Sequence, residues 1–258
     1  MATQSVLTKP RGPDYSRIEQ IPDPPRRPDM NEYPHISAFT SALEVWFNDE
    51  EGVVIGSSGY LWRLSTDRYG PYPDAILARG VRDPRRVILR NGYVISEVGK
   101  PPDLVLEVGS PSTGRRDYTD KREIYAEYGV REYWRFDPSG GKNHDAPLAA
   151  DTLVDGKYEP MDIVSESETR HWGYSQVLEL EVWSYDGILR LRDPVSGEFI
   201  PTHVESWEAA QSERAARLST EQRAQSAEQR AQSAEQRAQS AEARNAELEA
   251  ELRRLRGE

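Results

Sequence analysis

Between Pro102 and Pro138 the chain has few ways to fold. Leu104, Leu106 and Val108 alternate with Asp103, Val105 and Glu107, the period-two pattern of a strand with two unlike faces. The pattern breaks at Gly109-Ser110-Pro111-Ser112, and a helical pattern runs from about Asp117 to Tyr128, with Ile124, Tyr125 and Tyr128 on one face. Gly129 stands where a C-cap glycine would end that helix. Glu132 to Asp137 reads as another strand, stopped by Pro138. Strand, helix and strand in this order form a crossover, which places the two strands parallel. Carboxylates on a buried strand face are costly unless a metal or cation offsets them. The plainer alternative is a sheet-edge strand whose carboxylates meet water.

Around this unit the chain alternates helical and strand patterns. Residues 1–33 are rich in proline, arginine and aspartate, as in Pro22-Asp23-Pro24-Pro25-Arg26-Arg27-Pro28, and are expected to be disordered. Ile36, Phe39, Leu43, Trp46 and Phe47 recur at helical spacing, with Glu44 beside the stripe as either a site residue or an exposed one. Val53–Ile55 and Tyr60–Leu64 flank Gly56-Ser57-Ser58-Gly59, which predicts a strand pair joined by a short turn. Neither GxGxxG nor GxxxxGK[ST] occurs there. Tyr72–Leu77 is a strand candidate with Asp74 at its start. Asn91-Gly92 between Val87–Arg90 and Tyr93–Ser96 predicts a hairpin, as does Asp155-Gly156 before Tyr158. Leu178–Trp183 and Leu189–Leu191 are the last strand candidates.

From about Trp207 the pattern changes. Arg-Ala-Gln-Ser-Ala-Glu-Gln starts at Arg223 and Arg230 and nearly recurs at Arg237, a seven-residue period. Ala224, Ala227, Ala231, Ala234, Ala238 and Ala241 lead through Asn245 to Leu248, Leu252 and Leu255. This three-four spacing predicts a coiled-coil helix over 207–256. An alanine seam buries little area, so a homodimer through this helix would rest on its leucine-rich end. The alternative is a lone exposed helix held by alanine propensity and alternating charge.

Charge bears on the choice of partner. A net charge of −11 is awkward for nucleic acid, which usually meets a basic surface. Arg79, Arg82, Arg85, Arg86, Arg90, Arg115, Arg116 and Arg122 nevertheless gather around the central stretch, as a local basic cleft or as a solvated face. Cysteine is absent, which excludes disulfides, zinc-thiolate sites and cysteine nucleophiles and is compatible with a cytoplasmic protein. His35, His144, His171 and His203 share no metal-binding spacing, and no GxSxG occurs. No apolar run is long enough for a membrane span or signal core.

Hydrolysing a phosphodiester calls for a cation to shield the phosphate, acidify an attacking water and steady the leaving oxygen. Carboxylates on neighbouring strands suit hard Mg2+ or Mn2+, and a nearby lysine can orient the water or stabilise developing charge. Asp74, Glu107 and Lys121 supply this set. Asp103 is a second candidate, but four strand residues, roughly 13 Å, separate it from Glu107.

These residues carry a resemblance. Pro73-Asp74, the run from Pro102 through Glu107 to Thr113, then Asp117, Lys121, Tyr125 and Gly129-Val130-Arg131-Glu132-Tyr133-Trp134-Arg135-Phe136-Asp137-Pro138 resemble the Uma-type endonuclease family of the PD-(D/E)xK restriction-endonuclease-like superfamily. The likeness spans roughly residues 35 to 200. It implies an α/β fold over about 34–203, a mixed sheet flanked by helices. It further implies a divalent metal held by Asp74 and Glu107, and double-stranded DNA as substrate. The superfamily's usual lysine would stand at 109, where this chain has glycine, so Lys121 would serve instead. Two functions follow: a metal-dependent DNA endonuclease, or a catalytically silent module that keeps the fold and assembles through its coiled coil.

Overall fold

The alternation at Leu104–Val108 folds as a central strand whose five residues are all buried. The computed structural model describes residues 13, 15–25 and 30–256. In chain order its elements are α1 (Tyr33–Trp46), β1 (Val54–Ser57), β2 (Tyr60–Trp62), β3 (Ala75–Ala78), α2 (Pro84–Arg90), β4 (Gly92–Val94), α3 (Ile95–Val98), β5 (Leu104–Val108), α4 (Gly114–Asp117) and α5 (Asp120–Tyr128). Then follow β6 (Glu132–Phe136), β7 (Leu148–Val154), β8 (Lys157–Pro160), β9 (Val164–Ser165), β10 (Arg170–Ser175), β11 (Leu180–Tyr185), β12 (Ile188–Arg192) and α6 (His203–Arg256). The chain divides into two compact units, Met1–His203 and Val204–Glu258.

A mixed six-stranded sheet runs in the order β1-β3-β5-β6-β7-β8. Within it β5 and β6 pair parallel, as the crossover requires, and the other pairs are antiparallel. A four-stranded sheet, β12-β11-β10-β9, and a two-stranded one, β2-β4, complete the unit. The two faces of β5 serve two cores. Leu104, Leu106 and Val108 join Phe39 and Leu43 of α1 and Val182 and Leu191 of the four-stranded sheet. Val105 joins Tyr125 of α5, Tyr133 of β6 and Tyr93 of β4. Glu107 shares the parity of Val105, so it faces α5.

The larger and the four-stranded sheets are tied by Glu132, which is 1% exposed at the start of β6. Its carboxylate accepts from Trp134 Nε1 at 3.0 Å, Ser175 Oγ at 2.5 Å, and the backbone N–H of Gln176 and Val177 at 2.8 and 3.0 Å. It therefore fixes the turn after β10 against the larger sheet. Glu132→Gln keeps the shape but swaps an acceptor for a donor facing other donors. It should cost about 1–3 kcal/mol, read as a lower denaturation midpoint with an unchanged slope.

Several local expectations are corrected. Asn91-Gly92 does not turn a hairpin. Asn91, at φ 59°, is the left-handed C-cap of α2, and Pro84 with the Asp83 side chain bonded to Arg86 N starts that helix. The left-handed backbone that favours a tight hairpin serves a helix end equally well. Likewise β1 and β2 do not pair. After Ser58, at φ 56°, β1 lies antiparallel on β3 while β2 lies parallel to β4. Their side chains explain this, since Tyr60 and Trp62 of β2 bury with Ile21 and Val94 in a third core. Asp155-Gly156, at φ 48° and 80°, does turn the β7–β8 hairpin.

Of the N-terminal segment expected to be disordered, residues 1–12, 14 and 26–29 lie outside the described ones. Ile21, in contrast, is 2% exposed, its N–H donates to Arg90 O at 2.8 Å, and Asn91 Nδ2 donates to Ile21 O at 3.0 Å. Asn91 Nδ2 also donates to Asp23 Oδ1 at 2.9 Å, and the Tyr15 hydroxyl to Asp83 Oδ1 at 3.2 Å, so polar contacts join Ile21 in anchoring this stretch. The tail is one helix of 54 residues, and Leu248 and Leu252 are each 51% exposed on it. Among the described residues no helix is long and apolar enough to cross a membrane.

Candidate active site

The pairing of β3 with β5 sets the site. Ala75 stands opposite Leu106, so one step further Asp74 meets Glu107 from the neighbouring strand. Directly opposed residues of antiparallel strands point to one face. The Asp74 carboxylate accepts the Val108 N–H at 2.7 Å, which fixes it at the C-terminal end of β5. The crossover helix α5 then lays Lys121 and Tyr125, one turn apart, over the same face.

Lys121 Nζ lies 2.7 Å from Glu107 Oε2 and 2.8 Å from Asp117 Oδ1. The second contact spans one helical turn (i,i+4). The other oxygen of Glu107 accepts the Tyr125 hydroxyl at 2.6 Å. Glu107 is 1% and Asp117 0% exposed, while the Asp74 residue as a whole is half-buried.

Burial raises the Asp74 pKa well above the ordinary carboxylate range, and the nearby Glu107 charge adds to this. Burial likewise raises that of Glu107, with Lys121 opposing. For Lys121 burial alone would favour the neutral amine, but Glu107, Asp117 and Asp74 together raise its pKa. Three carboxylates thus face one ammonium. Such a cluster carries excess negative charge in a poorly solvated place.

Asp74, Glu107 and Lys121 therefore come together. Asp103 does not join them: its carboxylate holds Lys100 Nζ at 2.5 and 2.7 Å and accepts the Arg79 N–H at 2.8 Å. Glu44 is spent elsewhere too, 3.0 Å from His203 Nε2 on an exposed surface. The correction at Glu44 is one of helix face, since Phe39 and Leu43, not Glu44, turn inward. Sequence reasoning gave Asp117 no role, although its i,i+4 spacing to Lys121 was a usable signal. It also passed over Glu32, 2% exposed, whose charge reaches Asp74. His144, its ring 3.0 Å from Asp117 Oδ2, comes from the loop before β7 and carried no local signal.

The donor set suits a hard divalent cation. Asp74 keeps a carboxylate oxygen beyond its bond to Val108, and Glu107 is adjacent. Among the described residues no group of three or more His, Asp or Glu side chains is arranged around one metal position. Magnesium is commonly held by one or two carboxylates with water completing its shell; Asp74 has an oxygen to offer, whereas both oxygens of Glu107 already meet Lys121 and Tyr125. A cleft of about 750 Å3 opens beside Lys121, lined also by Arg63, Tyr69, Tyr72, Arg116 and Tyr128.

The model of the Uma2 family, described as "Putative restriction endonuclease", matches residues 15–183. A solved structure described as a "putative nuclease belonging to DUF820" from Anabaena variabilis is similar at 15% identity and a TM-score of 0.39, over 56% of this chain and 75% of that one. No curated protein matches.

Proposed function

We propose, from the premise that this chain belongs to the Uma2 family of restriction-endonuclease-like proteins, that it cleaves phosphodiester bonds of DNA with a divalent cation. The observation that carries this reading is the meeting of Asp74, Glu107 and Lys121 over one sheet face, with Lys121 lining a cleft. Asp74 and Glu107 would hold Mg2+ or Mn2+. Such a cation, when bound, shields the phosphate and makes an attacking water easier to ionise.

The chain's own groups do the rest. Tyr125 donates its hydroxyl to Glu107 Oε1 and so fixes the carboxylate plane. Lys121 is the ammonium that can stabilise charge developing on the phosphate oxygens, and its raised pKa keeps it protonated at neutral pH. Arg63 and Arg116 at the cleft offer phosphate contacts in a chain that is acidic as a whole.

Magnesium should raise thermal stability, because an ion that binds only the folded state adds about 2.7 kcal/mol at a hundred times its Kd. Asp74→Asn should remove that gain. Equal shifts in both proteins would place the ion elsewhere.

The reading extends to the tail as a homodimer through α6. The exposed Leu248 and Leu252 favour it, since two such helices would cover them. The side chain of Leu255, the third leucine of the seam, lies outside the described ones. Leu252→Ala should weaken association by about 2 kcal/mol. Sedimentation of the full chain beside a version ending near Ser206 checks it. If both run as the same species, the tail does not assemble the protein. A silent module assembled by this helix is the second reading, favoured by the net charge of −11 and the length of the exposed seam.

A further inference from the structure

One buried chain of polar groups reaches the site from behind. Lys121 Nζ stands between Glu107 and Asp117, and the far oxygen of Asp117 lies 3.0 Å from His144 Nε2. The side chains of Asp117 and His144 are both fully buried. An ionised carboxylate only accepts, so Nε2 carries the proton and donates. Among the described residues Nδ1 is buried without a hydrogen-bond partner.

His144 is itself held firmly. Asp137, just past the end of β6, accepts the N–H of His144 at 3.0 Å and of Asn143 at 2.7 Å with one oxygen. Its other oxygen accepts the N–H and the hydroxyl of Ser139 at 2.9 and 2.6 Å. Two glycines make room for this loop. A Cβ on Gly109 would come within 3.1 Å of the His144 ring, and one on Gly114 within 2.0 Å of Asn143 O. The imidazole thus fills the space that a side chain directly after β5 would take. Among these three residues only Lys121 lines the cleft.

We propose, resting on the nuclease reading above, that His144 and Asp117 are positioning residues for Lys121. His144 donates to one oxygen of Asp117, which turns the other toward the ammonium and presses it against Glu107. The lysine side chain has four rotatable carbons and arrives from a helix instead of the strand, so its aim needs this second support. A histidine that merely fills the core would leave Lys121 indifferent to its loss.

The test uses the full chain with His144→Phe, which fills the space without a donor, and His144→Gln, which restores one. Asp117→Asn is the second variant should His144→Phe fail to fold. Two quantities are read: steady-state cleavage of plasmid DNA with magnesium, and the rate at which an amine-acetylating reagent modifies Lys121 relative to the other lysines. His144→Phe should lower kcat about 10- to 100-fold with KM little changed, as expected when a supporting residue is lost. Lys121 should be acetylated several-fold faster, and His144→Gln should recover most of both losses. Unchanged acetylation and kcat in a folded His144→Phe protein would overturn the inference while leaving the nuclease reading intact. If the wild type does not cleave DNA, the nuclease reading falls. A faster acetylation in His144→Phe would then still support the positioning of Lys121 by His144.

Discussion

Lys121→Met should destabilise the larger unit by about 3–5 kcal/mol, the cost of stripping a buried ion pair of one partner. The ammonium lies within 2.8 Å of two carboxylates that are almost wholly buried, Glu107 and Asp117. Asp74 adds a third negative group nearby. Without the lysine, Glu107 and Asp117 must either fold as uncompensated anions or take up protons. Methionine has comparable length, so the effect isolates charge from packing. Denaturant unfolding of wild type and variant at neutral pH reads it, and a loss below about 1 kcal/mol would mean that the cluster is not charged as described.

Glu107→Gln should act oppositely on stability and strongly on function. It removes one anion from a cluster with an excess of them, while the amide oxygen can accept from Lys121 and the amide NH2 can donate to the Tyr125 hydroxyl oxygen. Lys121 retains Asp117 at 2.8 Å. Burial already disfavours the charged form of Glu107, so the neutral amide relieves a strain that the fold tolerates for the sake of the site. Stability should therefore stay within about 1 kcal/mol of wild type or rise. Cleavage should fall by about 10²–10³-fold or more, since the carboxylate that would hold the cation and orient Lys121 is gone. A variant that folds as well as wild type yet cannot cut separates the two roles cleanly.

The crossover was legible because strand and helix periods are local properties of the chain, and Leu104–Val108 with Lys121–Tyr125 display both. Glu107 could be placed on the α5 face from parity alone. Its meeting with Asp74 depends on the register of β3 against β5, which the family resemblance supplied and local pattern did not. The misread turns share one cause. Asn91-Gly92 and the Ser58 turn each announce a left-handed or tight backbone, but tertiary burial decides what that backbone joins. Ile21, Tyr60 and Trp62 bury together, and this pulls β2 away from β1. The same limit hid Glu32 and His144. Each is an ordinary polar residue in a loop or at a helix start, and only the folded sheet brings it to the site.

Nicking of supercoiled plasmid by the full chain tests the central claim most directly, with Mg2+ or Mn2+ supplied or chelated and Glu107→Gln run alongside. The account predicts cleavage by wild type that requires the cation, with the variant folded but inactive. Cleavage that survives chelation, equal cleavage by both proteins, or none by a folded wild type would contradict it.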